Sequence, residues 1–329
     1  MPADDRAPPD GLIEESGFGG DALIYYLTSE KHPYTMRDFL AGLGKPLADI
    51  VRVHTYTEFL KIRKLPSRAT YIFSDVDRLS GSQSLGIFER WKRLEAAGAR
   101  LLNHPLRVMR RYDLLRWARE NGINSFDCYM VIEHRKPKRF PVFMRRAFDH
   151  EGSISPLISS QDELDRAIAA MRAASEWPGD KIITEYLDVS DSDGIFRKYA
   201  AFRIGDVLFP RQIMAAKQWV VKKPEFDSAE LAAQEVAYLD ANPHGDQLMR
   251  IFEAARIEYG RIDYCVVDGR VQVFEINTNP SIIGERSTAQ VLDPNSLRGP
   301  TYRKAIKRYI EAFAALDVRP NRLKPGAAR

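Results

Sequence analysis

The sequence predicts a chain of two or three domains, a small α/β unit followed by a larger α+β part. Three observations lead there. Strands and helices alternate over roughly 20–105, the order that builds a sheet covered by helices. The last third carries a strand pair and a hairpin signature between amphipathic helices. The length, 329 residues, exceeds what one core ordinarily organises.

ALIYYLT at 22–28, DIVRVHTY at 49–56 and ATYIFSD at 69–75 are rich in Val, Ile and Tyr and read as strands. A helix is expected over 85–98, where Leu85, Phe88, Trp91 and Leu94 recur every three residues and Gly98 is the natural stop. ARLLN at 99–103 reads as the next strand. A helix near 108–121 follows, with Leu114, Leu115 and Ala118 among its apolar positions. DCYMVIEH and FPVFMRRAF supply two further strands. Ser160-Gln161-Asp162-Glu163 has the capping-box pattern. It opens a helix with Leu164, Ile168 and Met171 on one face, so Met171 is expected in a core. KIITEYLD at 181–188 is again a strand, running into acidic and Gly/Ser residues where a joint is placed. Beyond it come a strand pair near 196–216, a helix near 245–259 and a terminal helix near 302–315, whose Ile306, Ile310 and Phe313 form a stripe. Part of the acidic, Ala-rich segment 222–246 is expected to be a lid or an insertion.

Composition excludes several classes. A formal charge of +4 suits a small anion as well as a polymer and decides between neither. There is no long basic run and no zinc-finger signature, so no nucleic-acid partner is expected. Cys128 and Cys265 form no Cys-x-x-Cys pair, which fits a reducing cytoplasm. No run of 18 apolar residues occurs, so no membrane span is expected. The acidic, Pro/Gly-rich start, 1–19, has no apolar signal-peptide core and is expected to be a flexible lead-in, like the tail 317–329. GFGG at 17–20 precedes the first strand rather than following it, which argues against a dinucleotide-binding turn.

The strongest local signal is RIDYCVVDGRVQVFEINTNP at 261–280, two apolar runs about Asp268-Gly269. Register decides what it does. A two-residue loop pairs Val267 with Arg270 and sends Asp263 and Glu275 to opposite faces. A three-residue loop pairs Val267 with Val271 and sets Asp263 opposite Glu275, with Asn277 two positions on. The second register is chosen because Ile262, Tyr264, Val266, Phe274 and Ile276 then share one apolar face. Two close carboxylates repel unless a positive charge lies between them. A hard cation such as Mg²⁺, with Asp263, Glu275 and Asn277 as oxygen ligands and phosphate oxygens completing its shell, meets that need. A solvent-facing sheet with a polar outer face remains the alternative reading of these residues.

The run Arg261-Ile262-Asp263 followed by Phe274-Glu275-Ile276-Asn277-x-x-Pro280 resembles the metal-binding end of the ATP-grasp superfamily, within its glutathione-synthetase-like and ribosomal-protein-S6-glutamate-ligase-like branch. The resemblance covers about 100–316. It implies an ATP-grasp fold, two α+β lobes clamping ATP, over 106–189 (the lid lobe) and 190–316 (the metal-bearing lobe). A small Rossmann-like pre-ATP-grasp α/β domain would precede them over 20–105. It implies roles residue by residue. Arg111, in RRYDLLRWARENGI, would reach the phosphates. Arg145, ending PVFMR, would do the same and stabilise transfer. Glu185 of ITEYL would contact adenine or ribose, and the backbone of Tyr186 and Leu187 would receive the adenine edge. Arg211 would bind the transferred phosphate. Asp263, Glu275 and Asn277 would be the metal ligands, with Ser153 a hydroxyl donor in the phosphate-covering loop. Two positions usually held by lysine are arginine here, and that loop, DHEGSIS, has Gly152 as its one glycine. His150 in the same loop stands as a phosphate or substrate contact or as a surface residue. Arg197 and Lys198 face either an acceptor pocket or the acidic loop 188–193, and Lys217 is a further anchor for an acidic substrate.

The resemblance thus implies a cytoplasmic, ATP- and Mg²⁺-dependent carboxylate–amine ligase working through an acyl-phosphate, with one or two ions and Mn²⁺ able to substitute. Its partners would be a small carboxylate and an amine acceptor, an amino acid or a peptide, and a homo-oligomer is compatible with it. A phosphotransferase on the same scaffold and a catalytically silent ATP-binding module are the alternatives.

Overall fold

A computed structural model describes residues 23–149, 152–221 and 225–318. The expected lead-in 1–19, the GFGG run, His150 and most of the tail 317–329 lie outside the described residues.

The first unit runs β1 (Ile24–Thr28), α1 (Tyr34–Ala41), β2 (Val51–Thr55), α2 (Tyr56–Lys61), β3 (Thr70–Phe73), α3 (Gly81–Ala96), β4 (Arg100–Leu102). Its four strands form one parallel sheet in the order β2-β1-β3-β4. Parallel strands need helices on both faces, and β1 is buried along its whole length. Ile24 and Tyr26 point into one core, Tyr25 and Leu27 into another beneath α2 and α3. The structure starts α3 four residues earlier than periodicity suggests, because Ser80 and Gln83 close a capping box. Ser84, Ile87, Trp91 and Leu94 are its buried stripe, while the expected Leu85 faces solvent. Gly98 ends it with φ 78°, as read from the sequence.

The second unit holds α4 (Arg111–Glu120), β5 (Cys128–Met130), β6 (Val142–Arg146), α5 (Gln161–Ala173) and β7 (Lys181–Glu185). Its antiparallel sheet has the order β5-β7-β6. Met171 is core, packed with Leu164 against this sheet. The capping box at Ser160 is half formed: Ser160 accepts the N–H of Glu163, but the Glu163 carboxylate takes the N–H of Ser159.

The third unit holds β8 (Phe196–Ile204), β9 (Val207–Ala216), α6 (Ala229–Ala241), α7 (Gly245–Ala255), β10 (Tyr259–Val267), β11 (Arg270–Asn277), α8 (Glu285–Leu292) and α9 (Gly299–Ala314). The strands form an antiparallel sheet, β11-β10-β8-β9. Within the segment expected to be a lid or insertion, α6 instead packs Leu231, Tyr238 and Leu239 into the core of this sheet. The helix expected to run to 259 stops at Ala255, where Arg256 turns left-handed (φ 55°) to launch β10. One core joins this unit to the first, since Tyr302, Ile306 and Phe313 of α9 pack with Tyr26, Phe39 and Ile72. Among the described residues, no helix is long and apolar enough to cross a membrane.

Candidate active site

The β10–β11 hairpin turns through Asp268 (φ 50°) and Gly269 (φ 72°), a two-residue left-handed turn. Val267 therefore pairs with Arg270, not with Val271 as the three-residue loop would have it. The expected pair forms nonetheless. The register shifts between Tyr264 and Asp263, so Tyr264 pairs with Val273 but Asp263 pairs with Glu275. Phe274 is the extra residue of a β-bulge, a device that re-aims side chains beside functional sites. Ile262, Tyr264, Val271, Val273 and Ile276 fill the apolar face above α6 and α7. Phe274 leaves that face, against expectation, and lines the cleft near Phe126.

Among the described residues, four cations pair with the two carboxylates. Asp263, 1 % exposed, accepts from Arg261 Nε at 2.8 Å and from Lys198 Nζ at 3.0 Å. Burial pushes its pKa up, but Arg261 and Lys198 outweigh this and hold it below the ordinary value. Glu275 is paired with Arg145 Nη2 at 3.0 Å and with Arg111 Nη2. Arg111 Nη1 also donates to Arg146 O at 2.6 Å. Burial, reinforced by the neighbouring Arg111, pushes Arg145 down to about 10. Asn277 lies opposite Arg261 at the far end of the hairpin, its Oδ1 accepting the Asn279 N–H at 2.8 Å.

These carboxylates form part of the wall of a cleft of about 990 Å³, open solvent included, also lined by Arg145, Gly152, Ser153, Glu185, Tyr186 and Leu187. Ser153 Oγ is engaged locally, 2.6 Å from Ser155 O and 3.1 Å from Met144 O. Gly152 stands at φ 98°, where a side chain would be strained. The Glu185 carboxylate accepts from Tyr129 OH (2.8 Å), the N–H groups of Asp127 and Lys138 (both 3.1 Å) and Arg139 (3.2 Å). That network ties β5, β7 and the 138–139 turn together. Tyr186 N donates to Pro141 O at 2.9 Å.

Arg111 is tied to the cleft through Glu275, whereas Arg211 sits apart, beside Ile282 and Tyr302. It too occupies a bulge, since Gln212 pairs with Ala200 and Pro210 with Ala201. Its Nε donates to Ile282 O at 3.2 Å and its guanidinium lies 5.0 Å over the Tyr302 ring. Burial pushes its pKa down to about 10. Arg211 Nη1 and Arg145 Nε are buried without a hydrogen-bond partner among the described residues. Buried donors of this kind are costly unless something accepts from them.

Scans against family models and against curated proteins give no match. Solved structures do match over most of the chain. The ATP-grasp ligase PsnB, complexed with minimal precursor, is 14% identical, with a TM-score of 0.49, covering 90% of this chain and 100% of that one. D-alanine–D-alanine ligase from Bacillus anthracis is 13% identical, with a TM-score of 0.48, over 88% and 99%. A RimK domain ATP-grasp protein from Sphaerobacter thermophilus is 12% identical, with a TM-score of 0.43, over 86% and 99%. Two of these three are named as ATP-grasp proteins.

The cleft sets oxygen donors suited to a hard cation beside cationic groups suited to an anion. No group of three or more His, Cys, Asp or Glu residues suited to a metal occurs among the described residues. Two facing carboxylates and an amide oxygen are instead a partial oxygen set, of the kind Mg²⁺ shares with phosphate. In the cleft wall, Arg145 Nε, buried without a hydrogen-bond partner among the described residues, suits an anion.

Arg261 and Trp219 carry no site role in the sequence, whereas Lys198 stands there as a candidate substrate anchor. Strand alternation sets Arg261 on the same face as Asp263, two residues on, and the structure closes that pair at 2.8 Å. Lys198 had two readings, and the structure separates it from Arg197: Arg197 pairs with Asp191 of the acidic loop, Lys198 with Asp263. Trp219 lies 4.9 Å from Phe143 and 5.7 Å from Tyr186, ring to ring, bridging the two lobes. Its only signal was a lone tryptophan in a lysine-rich stretch.

Proposed function

We propose that this chain is an ATP- and Mg²⁺-dependent carboxylate–amine ligase, ADP-forming, with the first unit serving as a pre-ATP-grasp domain. The observation that carries the reading is Asp263 set against Glu275 within a ring of Lys198, Arg261, Arg111 and Arg145 in the wall of a two-lobed cleft. Such a ring accepts a triphosphate, whose charge the arginines match in fork geometry.

In this reading Asp263, Glu275 and Asn277 would hold one or two Mg²⁺ ions, which supply charge neutralisation on the phosphates. Arg111 and Arg145 would turn from Glu275 towards the phosphates. Trp219, Phe143 and Tyr186 would enclose the base, and with the Tyr186 N–H taken by Pro141 the adenine edge falls to the backbone of Leu187. Glu185 then acts by holding that hinge in shape. Gly152 and Ser153 would cover the phosphates, and Arg211, which lies beside Ile282 outside the cleft lining, would have to turn from that carbonyl to bring Nη1 to the transferred phosphoryl group. A substrate carboxylate oxygen attacks the γ-phosphorus, ADP departs, and an acyl-phosphate results. An amine nitrogen attacks the acyl carbon, phosphate leaves with the bonding pair, and the amine loses a proton. The products are one amide, ADP and phosphate. Substrates are a small carboxylate and an amino acid or peptide amine. The two buried free thiols, Cys128 and Cys265, support a reducing, cytoplasmic setting.

The test is ATP turnover with Mg²⁺ against pooled carboxylates, amino acids and short peptides, reading ADP, phosphate and product mass together. ADP, phosphate and a product lighter by one water than its two parents are expected. ADP with a phosphorylated product would replace the ligase by a phosphotransferase, and failure to bind ATP would remove the site.

A further inference from the structure

The charges around the hairpin sum to an unexpected sign for a cation site. Asp263 and Glu275 bring two negative charges. Lys198, Arg261, Arg111 and Arg145 bring four positive ones, all within direct ion-pair contact of the two carboxylates. The nearby Asp149 is answered by Arg146 at 3.7 Å. Among the described residues, the groups paired with the two carboxylates therefore sum to a positive charge, and the Asp263 carboxylate is already shared between Arg261 and Lys198, 2 % of its side chain exposed. A bare divalent cation entering here meets repulsion and finds its ligand taken, in surroundings where screening by water is weak. A triphosphate meets attraction from the same four groups.

We infer that Lys198 is a positioning residue that keeps Asp263 closed to a bare divalent cation, so that metal enters with, or after, the nucleotide. The inference rests on the nucleotide reading above and adds an order to it. Lys198 stands in for the cation: its ammonium satisfies Asp263 until phosphate oxygens reverse the charge balance. Arg261 keeps Asp263 oriented throughout, since it grips both carboxylate oxygens, Oδ1 at 2.8 Å and Oδ2 at 3.3 Å. Lys198, on a flexible stem with one contact at 3.0 Å, is the group able to leave.

The test needs no substrate. Mn²⁺ binding to the full chain is followed by the loss of its free electron-spin-resonance signal, with and without ATP, each ATP sample read against the same Mn²⁺ and ATP without protein because ATP itself chelates Mn²⁺, and ATP binding is measured in parallel samples without metal. The wild type is expected to bind metal-free ATP and to take up Mn²⁺ saturably once ATP is present, but not alone. Lys198→Met is expected to bind Mn²⁺ alone at least about tenfold more tightly than the wild type. Lys198→Arg, which keeps the charge, should exclude Mn²⁺ as the wild type does, a rescue that a purely structural role would not require. Saturable Mn²⁺ binding to the wild type at equal strength with and without ATP would overturn the inference, as would a Lys198→Met variant indistinguishable from the wild type. Either result with ATP still bound leaves the nucleotide reading standing. A wild type that binds no ATP overturns both.

Discussion

Asp263 pairs with Glu275 one residue out of step with the turn that closes their hairpin, and Phe274 absorbs the difference. Glu275 is thereby set against Arg111 and Arg145 as well. Its neutral variant separates two effects. Glu275→Gln removes one oxygen ligand and leaves two buried guanidinium groups with less counter-charge. Turnover of ATP is expected to fall by about 10²–10³-fold, as for loss of a principal charge-stabilising group. Binding of metal-free ATP is expected to hold or tighten, because phosphate then supplies the missing negative charge. Equilibrium nucleotide binding beside steady-state turnover checks both directions, and a parallel fall in both would contradict the assignment.

Asp263 gives a pH prediction. Burial raises its pKa, but Arg261 and Lys198 outweigh burial and the value in the fold is depressed. A carboxyl depressed by folding stabilises the protein above its unfolded pKa, near 3.9 for aspartate, and that stability drains away as pH falls towards the depressed value. Melting temperature measured from pH 6 down to about pH 3 should fall less steeply for Asp263→Asn than for the wild type. At neutral pH the same variant should be the less stable of the two, because Lys198 and Arg261 lose their counter-charge. An acid limb identical in both proteins would show that Asp263 is not a charged partner of Lys198.

Much of this was legible in the sequence, for identifiable reasons. β1, β10 and β11 announce themselves because burial on one or both faces forces Val, Ile and Tyr into period-two runs. The acidic pair was legible because only one register gives the hairpin a clean apolar face. The route to that register was not: the Asp268-Gly269 turn is a two-residue one, and a bulge at Phe274 makes up the step. Nothing in a linear pattern marks where a strand will drop a residue from its ladder. The short helices α1, α2 and α8 were missed, since six to eight residues hold too few periods to read. Trp219 was illegible as a site residue because its partner, Phe143, is remote in sequence, and Lys198, legible as a substrate anchor, was not legible as the partner of Asp263, 65 positions away.

Trp219 is the next test. It touches Phe143 of the second unit and Tyr186 beyond β7 while belonging to the third unit's chain. Trp219→Ala removes a ring from the cleft wall without touching a charge. ATP affinity should weaken by about tenfold, the scale of losing one base–aromatic contact of 1–3 kcal/mol, while turnover at saturating ATP changes far less. Fluorescence reports the same event. ATP should change the emission of the wild type, and the change should vanish in Trp219→Phe, although Trp91, Trp117 and Trp177 remain.

The last prediction concerns a buried pair away from the cleft. Glu235 and Arg298 are 0 % and 1 % exposed at their side chains and are ion-paired. Glu235 also accepts from Ile213 N at 2.8 Å and from Thr301 Oγ1 at 2.5 Å, so α6, β9 and the start of α9 meet on one carboxylate. Glu235→Leu strands the Arg298 charge in the core, and about 3–5 kcal/mol of stability should be lost, the usual cost of breaking a buried pair from one side. Removing both charges, as Glu235→Leu with Arg298→Met, should recover a substantial part of that loss in urea unfolding, because no unpaired ion is left. Arg298 and Arg211 both lie 5.0 Å from the Tyr302 ring. The double variant should therefore regain stability without regaining full turnover, since the ring under Arg211 has lost the guanidinium that fixed it. Full recovery of both would mean that Arg211 is held by Ile282 and its own strand alone.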